Sequence, residues 1–307
     1  MIRIGTRGSP LALAQTAQVE AALAAAHPRL ADTFERVILR TTGDQIQDRP
    51  LAEIGGKGLF TKELDEALLD GRIAFAVHSL KDMPTWLAEG ISIACILPRE
   101  DPRDVLIARG GARTLGDLPS GAVLGTASLR RAAQALLRRP DLKVVPLRGN
   151  VGTRLKKLAA GEIDATLLAA AGLRRLGITD YDQALLSPDE MLPAVAQGAI
   201  AVTARTLDWA TQDFLAPLHH LATGICTTAE RACLAELEGS CRTPIAALAE
   251  IGENERLNLR ALIAMPDGSA VVREEQQGPA SEGATLGRAV GAALKGRAGP
   301  EFFSHLR

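Results

Sequence analysis

Aromatic residues are scarce in this chain of 307 residues, where Phe, Trp and Tyr together make up 3%. Proteins that bind single-stranded nucleic acid stack the bases on aromatic side chains, and few are available here. The formal net charge is −1, so the chain as a whole has no bulk attraction to nucleic acid or to an anionic membrane. The composition therefore argues against both kinds of partner.

Long apolar runs are also missing. No stretch reaches the length of a membrane span. Near the N-terminus, Arg7, Gln15 and Glu20 interrupt the apolar core that a signal peptide requires. The sequence therefore predicts a cytoplasmic protein whose thiols are reduced.

Cysteine is sparse, with four residues, at positions 95, 226, 233 and 241. They form no Cys-x-x-Cys pair, and with the five histidines they give no spacing typical of zinc ligands. We therefore expect no metal site. Cys95, Cys226 and Cys233 lie in apolar or helical stretches that predict packing roles. Cys241 differs, because it lies in the polar loop "LEGSCRTP" beside Arg242, which favours a thiolate. From the residues alone it could serve in packing, redox chemistry, metal binding, nucleophilic attack or covalent attachment.

The first two thirds of the chain alternate strand-like and helix-like runs. "IRIG" and "AVLGT" predict strands, and each is followed by a turn and a helix. Ser9 and Ser128 are placed as N-caps, and Pro10 fits the first helical position. Such alternation predicts an α/β fold with mainly parallel sheets and helices on both faces. Two related domains would face each other across a cleft.

The last ninety or so residues follow another pattern. "CTTAERACLAELEG" predicts a helix with a capping box from Thr227 to Glu230. Three further runs predict an antiparallel three-stranded sheet, and an Ala-rich helix closes a small α+β domain. We expect α/β domain 1 at 1–98 and 197–216, α/β domain 2 at 99–196, and α+β domain 3 at 217–307.

Basic residues cluster between Ser128 and Lys157, with nine Lys or Arg against one acid. A charge run alone usually marks a solvated helix face. Here, however, polar and basic residues stand at strand-to-helix turns, where backbone N–H groups favour an anion. These residues are Arg7, Ser9, Thr126, Ser128, Arg148 and Asn150, with Arg130, Arg131 and Arg154 close by. Each turn alone fits an ordinary cap, whereas their recurrence in two domains predicts an anionic ligand.

Two loops carry further candidates. "GGKG" is not a Walker loop, because no Ser or Thr follows Lys57. It fits a mobile loop that holds Lys57, or a plain turn. "HSLKDMP" ends a predicted strand, which is where α/β domains bind ligands, and it contains Lys81 and Asp82. Adjacent opposite charges are common in loops, so Asp82 is a site candidate only if it faces the same cleft as the arginines.

Taken together, the motifs resemble one family over nearly the whole chain, that of hydroxymethylbilane synthase, also called porphobilinogen deaminase. The stretches that carry the resemblance occur in the family's order: "TRGSPLALAQ", "GGKGLFTKEL", "AVHSLKDMP", "REDPRD", "GTASLRR", "LRGNVGTRL", "LAAAGLRRLG" and "TAERACLAELEGSC".

The resemblance implies a transferase of tetrapyrrole and haem biosynthesis. It would condense four porphobilinogen molecules head to tail, releasing ammonia, to give linear hydroxymethylbilane. The implied fold is two domains like those of periplasmic binding proteins, plus a small third domain that carries the cofactor. The implied cofactor is a dipyrromethane joined to Cys241 by a thioether, and the implied state is a monomer.

The resemblance also implies roles for individual residues. Asp82 matches the catalytic aspartate. Several residues match positions that hold substrate or cofactor carboxylates: Arg7, Ser9, Lys81, Ser128, Arg130, Arg131, Arg148 and Arg154. The candidate binding set is completed by Lys57, Thr126, Arg175 and Gln197.

Four positions depart from the pattern of many relatives: Glu53, Ala127, Ala196 and Ser240. The first two remove possible carboxylate contacts, which bears on the details of binding and not on the chemistry. Two rival functions remain at this point. One is a non-catalytic anion-binding protein on the same two-domain scaffold, and the other is a cysteine-nucleophile hydrolase. Only the synthase would carry a covalent two-pyrrole adduct.

Overall fold

The structure is a computed structural model that describes residues 1–45, 58–238 and 243–304. The chain divides into two compact units. The first contains the described residues before Asp101 together with Gly198–Gly224, and the second contains Asp101–Gln197 and the described residues from Ile225 onward. The predicted division into three domains stays a prediction.

Strands and helices alternate through most of the chain. The strands are β1 (Ile2–Arg7), β2 (Phe34–Leu39), β3 (Phe75–Ser79), β4 (Ile91–Ile96), β5 (Asp104–Ala108), β6 (Val123–Gly125), β7 (Lys143–Val145), β8 (Ala165–Ala169), β9 (Ala184–Leu185), β10 (Ile200–Arg205), β11 (Ile245–Ile251), β12 (Arg256–Ala264) and β13 (Val271–Pro279). The helices are α1 (Pro10–Ala26), α2 (Thr42–Gln45), α3 (Lys62–Leu69), α4 (Leu129–Arg138), α5 (Val151–Ala159), α6 (Ala170–Arg175), α7 (Trp209–Leu215), α8 (Leu221–Glu236) and α9 (Gly283–Ser304).

The first unit is built on a five-stranded sheet of order β2-β1-β3-β10-β4. Strands β1, β2 and β3 pair in parallel, whereas β10 runs antiparallel to both of its neighbours. Side chains alternate between the two faces of β3. Phe75 and Val77 join the core beneath α1, and Ala76 joins the core beneath α3. Residues at the end of β3 are therefore held from both faces.

A second five-stranded sheet, of order β7-β6-β8-β5-β9, forms part of the second unit. Its strand β6 pairs in parallel with both neighbours, and β5 is antiparallel to β8 and β9. The prediction of mainly parallel sheets is confirmed for four of the five strands in each sheet, and one reversed strand makes both sheets mixed. In each sheet the reversed strand lies between strands that are distant from it in sequence, and local periodicity carries no information about strand direction. The α/β class itself is as predicted.

The predicted antiparallel meander is present as the sheet β11-β12-β13. Leu248 and Leu262 on this sheet pack in one core cluster with Ala133 of α4. Helix α9 packs closely along α8. A Cβ atom added to Gly287 would lie 2.2 Å from the carbonyl oxygen of Ala229, so only glycine allows this approach.

The predicted capping box from Thr227 to Glu230 is wrong. Helix α8 begins six residues earlier, at Leu221, so Thr227 lies in its interior. The Glu230 carboxylate instead accepts backbone hydrogen bonds from Ala196 (2.6 Å) and Ala249 (2.8 Å). The spacing of Thr227 and Glu230 is typical of a capping box. The residues that Glu230 contacts, Ala196 and Ala249, are distant in sequence, so the spacing could not reveal them. Among the described helices, none is both long and apolar enough to cross a membrane.

Candidate functional site

A pocket lies at the carboxyl ends of β1 and β3 in the first unit. It encloses about 400 Å³ when the space open to solvent is included, and its walls include Arg7, Ser9, Phe60, His78 and Asp82. Because parallel strands end at the same edge of a sheet, β1 and β3 deliver these residues to one place. Three of the predicted site residues, Arg7, Ser9 and Asp82, are thereby brought together.

Local contacts fix Arg7 and Ser9. The Ser9 hydroxyl accepts the backbone N–H of Ala12 at 3.2 Å and caps α1, as predicted. The guanidinium of Arg7 lies 4.3 Å from the ring centroid of Phe60, a cation–π contact that holds the side chain and preserves its positive charge. The start of α1 also contributes the positive end of its dipole to this edge of the sheet.

Asp82 closes a short 3₁₀ turn, Leu80–Asp82, directly after β3. Leu80 is fully buried, and its carbonyl accepts the backbone N–H of Met83 at 3.2 Å. Ser79, just before the turn, hydrogen bonds to the buried Gln15 of α1 at 2.8 and 3.0 Å. The turn is therefore anchored on both sides of Asp82, and its carboxylate lies on the pocket wall. Lys81 lies in the same turn.

His78 lines the same pocket and was not singled out from the sequence. Its side chain is buried, and Nε2 lies 2.9 Å from the Thr203 hydroxyl on the neighbouring strand β10. Burial, with the charge of Arg7 as a smaller contribution, lowers the pKa of His78 to about 4. The imidazole is therefore neutral at physiological pH. The one sequence feature that could have indicated the burial of His78 is its position two residues after Ala76, on the α3 face of β3.

In the second unit, the turn between β6 and α4 is built as a cap. The Thr126 hydroxyl accepts the backbone N–H of Ser128 at 3.1 Å. The Ser128 hydroxyl in turn accepts the backbone N–H of Arg131 at 3.4 Å, so Ser128 is the N-cap that the sequence predicted. Both hydroxyls take part in building the turn.

Three predicted site residues contact Asp104, the first residue of β5: Arg130, Arg131 and Gln197. Nε and Nη2 of Arg131 donate to Asp104 Oδ1 at 3.1 and 2.7 Å, and Gln197 Nε2 donates to the same oxygen at 3.0 Å. Arg130 Nη1 lies 2.7 Å from Asp104 Oδ2, an ion pair without the alignment of a good hydrogen bond. This arrangement gathers three predicted site residues around a carboxylate that the sequence did not single out.

The Asp104 cluster is buried and charge-coupled. The Asp104 side chain has no exposed area, and the two arginines are 6–7% exposed. Burial by itself would raise the pKa of Asp104, but the two guanidinium groups outweigh it and hold that pKa below its usual range. Burial lowers the pKa of Arg130, and Asp104 opposes that shift. The cluster therefore carries two positive charges and one negative charge.

The remaining basic residues of the predicted site in the second unit lie on or near short helices. Arg154 Nε donates to the carbonyl of Gly149 at 2.9 Å, beside the N-cap Asn150 of α5. Arg175 ends α6 and is half-buried. Arg148 is also half-buried, and within the described part of the chain it makes no hydrogen bond or ion pair.

Lys57 and Cys241 lie outside the described residues, as do the departures at Glu53 and Ser240. The other three cysteines are buried. Burial raises the pKa of Cys95 to about 12, and burial with nearby Glu230 and Glu236 raises the pKa of Cys233 to about 12. Such thiols are protonated and are poor nucleophiles.

The paired histidines have structural partners. His220 Nδ1 accepts the backbone N–H of Thr223 at 3.3 Å and lies 2.8 Å from its hydroxyl, so it caps the start of α8. His219 Nδ1 accepts the backbone N–H of Ile96 at 3.3 Å. Neither contact is with a cysteine, which disfavours a Cys–His nucleophile built from these residues.

A family model described as "Porphobilinogen deaminase, dipyromethane cofactor binding domain" matches residues 2–213, and one described as "Porphobilinogen deaminase, C-terminal domain" matches residues 224–296. The chain is 54% identical over 302 residues to porphobilinogen deaminase of Paracoccus denitrificans, a match that covers 98% of this chain and 96% of that protein. It is 52% identical over 311 residues to chloroplastic porphobilinogen deaminase of Oryza sativa, covering 100% and 87%.

Among solved structures, the chain is similar to the periplasmic aliphatic sulphonate binding protein of Escherichia coli. The sequences are 16% identical, the match covers 77% of this chain and 70% of that one, and the TM-score is 0.42. The two family models together span most of the chain, and the identities to relatives are well above those of chance similarity. This chain is therefore a member of the porphobilinogen deaminase family.

Proposed function

We propose that this chain is a transferase that condenses four porphobilinogen molecules head to tail, with loss of ammonia at each step, to give linear hydroxymethylbilane. The observation that carries the proposal is the match of residues 2–213 to a family model for a dipyrromethane-binding domain. The pocket that contains Asp82, Arg7 and Ser9 supports it, because it combines one carboxylate with groups that bind anions.

The residues fit an acid-rich ligand. Each pyrrole unit carries an acetate and a propionate, so both the cofactor and the growing chain are polyanionic. Arg7, Lys81, Arg148, Arg154 and Arg175 supply positive charge, and arginine binds a carboxylate through two parallel hydrogen bonds. We propose that these residues, with Arg130, Arg131, Ser9, Thr126, Ser128 and Lys57, bind carboxylates of the cofactor and substrate. Gln197, whose two amide N–H groups are donated to Asp104 and Pro102, supports this set through Asp104. When bound, the dipyrromethane supplies the nucleophilic pyrrole carbon that primes the reaction.

Asp82 is proposed to stabilise charge during loss of ammonia. As the aminomethyl group of porphobilinogen leaves, positive charge spreads over the pyrrole ring and its nitrogen. A fixed carboxylate attracts that cation more strongly than it attracts the neutral ring, so it lowers the barrier. The protonated aminomethyl group leaves as ammonia before the carbon–carbon bond forms, and the proton that the attacking pyrrole carbon then loses can pass to Asp82 and from there to solvent. The anchored turn Leu80–Asp82 keeps the carboxylate in place for both roles.

We propose Cys241 as the attachment point. Support comes from the burial of Cys95, Cys226 and Cys233, which makes each of these thiols poorly accessible to a substrate, and burial also keeps Cys95 and Cys233 protonated by raising their pKa. Cytoplasmic location and a monomeric state stay predictions from the sequence.

The mass of the intact protein tests the proposal. The wild-type chain should exceed its sequence mass by a covalent two-pyrrole adduct and should give a colour with Ehrlich's aldehyde reagent after denaturation. Cys241→Ala should lack both signals, and Cys95→Ala should keep both. A wild-type protein of unmodified mass, or an adduct that survives in Cys241→Ala, would contradict the proposal.

A further inference from the structure

The buried Asp104 cluster contains a negative charge at a place where anions are proposed to bind. Arg130 and Arg131 are proposed to bind substrate carboxylates, yet they are already paired with a carboxylate of the protein itself. An internal anion next to a site for external anions weakens binding through its charge alone. Its presence at the centre of the cluster therefore needs another explanation.

The hydrogen bonds of Arg131 offer an explanation for the presence of Asp104. Nε and Nη2 contact Asp104 Oδ1, and Nη1 donates to the carbonyl of Leu167 at 2.9 Å. All three nitrogens are thus engaged, which fixes the plane of the guanidinium. A guanidinium has five N–H groups, so one N–H on each terminal nitrogen remains to contact a ligand.

Arg130 is fixed in a similar way. Its Nη1 lies between Asp104 Oδ2 and the carbonyl of Leu192, at 2.7 Å from each. Gln134 holds the backbone of Leu192 from the other side, accepting its N–H at 2.9 Å and donating to its carbonyl at 3.0 Å. The two guanidinium groups are therefore rigidly held before any substrate arrives. Groups held in this way lose little conformational entropy when they bind a ligand.

Resting on the proposed function, we infer that Asp104 is a positioning residue of this enzyme, which holds the guanidinium groups of Arg130 and Arg131 in the orientation that accepts substrate carboxylates. Asp104 does not touch the substrate. It acts through the two arginines, and Gln197 Nε2, which donates to Asp104 Oδ1 and to the carbonyl of Pro102 at 2.7 Å, restricts the carboxylate in turn.

An orienting role for Asp104 and a purely electrostatic role predict opposite changes in KM for porphobilinogen when Asp104 is replaced. Removing a negative charge beside an anion site should strengthen anion binding and lower KM for porphobilinogen. Loss of orientation should raise KM, and displacing a binding group by about 1 Å can cost about a hundredfold. A merely structural Asp104 would reduce the amount of folded enzyme and leave the KM of the folded fraction unchanged.

The experiment compares Asp104→Asn and Asp104→Glu with wild-type enzyme, in preparations that carry the covalent adduct. Asp104→Glu keeps the charge but shifts it by one methylene, so it remains informative if the Asn variant does not fold. Leu294→Ala, a fully buried position on α9, is the control for lost stability without a change at the arginines. KM and kcat for porphobilinogen are measured together with the thermal midpoint.

We expect KM to rise about tenfold to a hundredfold in the Asp104 variants and to stay at the wild-type value in Leu294→Ala. An unchanged or lowered KM in a folded Asp104 variant would overturn the inference. That result is distinct from failure of the proposed function, in which wild-type enzyme itself would neither carry the adduct nor turn over porphobilinogen.

Discussion

The carboxylate of Glu230 accepts a hydrogen bond of 2.6 Å from the backbone N–H of Ala196. Ala196 has a φ of 58°, in the left-handed region that glycine prefers, and it is fully buried. The second oxygen of Glu230 accepts the N–H of Ala249 on β11. One buried side chain thus ties a constrained backbone position to the third sheet.

We expect Glu230→Ala to lower the free energy of unfolding by about 3 kcal/mol, because it leaves two buried N–H groups unpaired. Urea denaturation of the wild-type protein and of Glu230→Ala measures this difference in the free energy of unfolding. Ala196→Gly is the companion variant. Glycine relieves the left-handed strain but gains entropy in the unfolded chain, so we expect a net change below about 0.5 kcal/mol. A large loss from Ala196→Gly together with none from Glu230→Ala would contradict this assignment.

Arg148 and Arg131 should separate binding from folding. Arg148→Leu removes a half-buried cation with no partner in the described chain, so we expect impaired cofactor assembly or elongation at nearly wild-type stability. Arg131→Leu breaks the Asp104 cluster and should also cost about 3 kcal/mol of stability. Arg288→Leu, on the exposed side of α9, is the control and should change neither property. Activity and thermal midpoint are measured for all three variants, and equal activity in all of them would remove Arg148 and Arg131 from the site.

Asp82→Asn should nearly abolish turnover while the protein stays folded. The amide keeps the shape of the side chain but loses the charge that attracts the developing cation. Asp82→Glu keeps the charge at a longer reach and should retain a small part of the activity. Release of hydroxymethylbilane is measured, with circular dichroism to check the fold.

Asp213→Asn, exposed on α7 of the same unit, is the control for the Asp82 variants. Asp101 is unsuitable for that purpose, because it pairs with Arg103 and Arg174 at 2.7 and 3.2 Å. Turnover by Asp82→Asn at the rate of Asp213→Asn would show that Asp82 has no catalytic role.

His78 should make stability depend on pH below neutrality. Its folded pKa is about 4, lowered from 6.5 by burial, so between these values the unfolded chain binds the extra proton. The free energy of unfolding therefore has its full value with respect to His78 above about pH 6.5. It falls by up to about 3 kcal/mol as the pH drops towards 4. His78→Gln lacks the titrating group. We expect its urea-unfolding free energy to fall less than that of wild type between pH 7 and pH 4.5, and parallel curves would contradict the prediction.

The packing of α9 on α8 gives a matched pair of glycine variants. A Cβ on Gly287 would lie 2.2 Å from the Ala229 carbonyl oxygen, whereas one on Gly296 would meet nothing within 4 Å. Gly287→Ala should lower the free energy of unfolding by about 2 kcal/mol through overpacking. Gly296→Ala should raise it by up to about 1 kcal/mol, because alanine is the better helix former. Thermal or urea denaturation distinguishes the two, and stabilisation by Gly287→Ala would be inconsistent with this packing.

Features set by neighbouring residues were predictable from the sequence. The caps at Ser9 and Ser128 depend on residues within three positions, and the three-stranded meander depends on turns between adjacent strands. Asp104 was missed because its partners lie 26, 27 and 93 positions away, in Arg130, Arg131 and Gln197. His78 was missed because its setting depends on Thr203, 125 positions away. A single sequence shows the residue types at such positions but not which of them meet.

The position of β10 also has a consequence for synthesis of the chain. Strand β4 pairs with no strand other than β10 among the described strands, and β10 also fills the place beside β3. The strands of the second sheet, by contrast, all lie between Asp104 and Leu185. During translation the later-encoded sheet has its full set of strands first, and the N-terminal sheet must wait for β10 to leave the ribosome. The order in which the two sheets close is therefore the reverse of the order in which they begin, and until then β3 and β4 present open edges on which a chaperone could act.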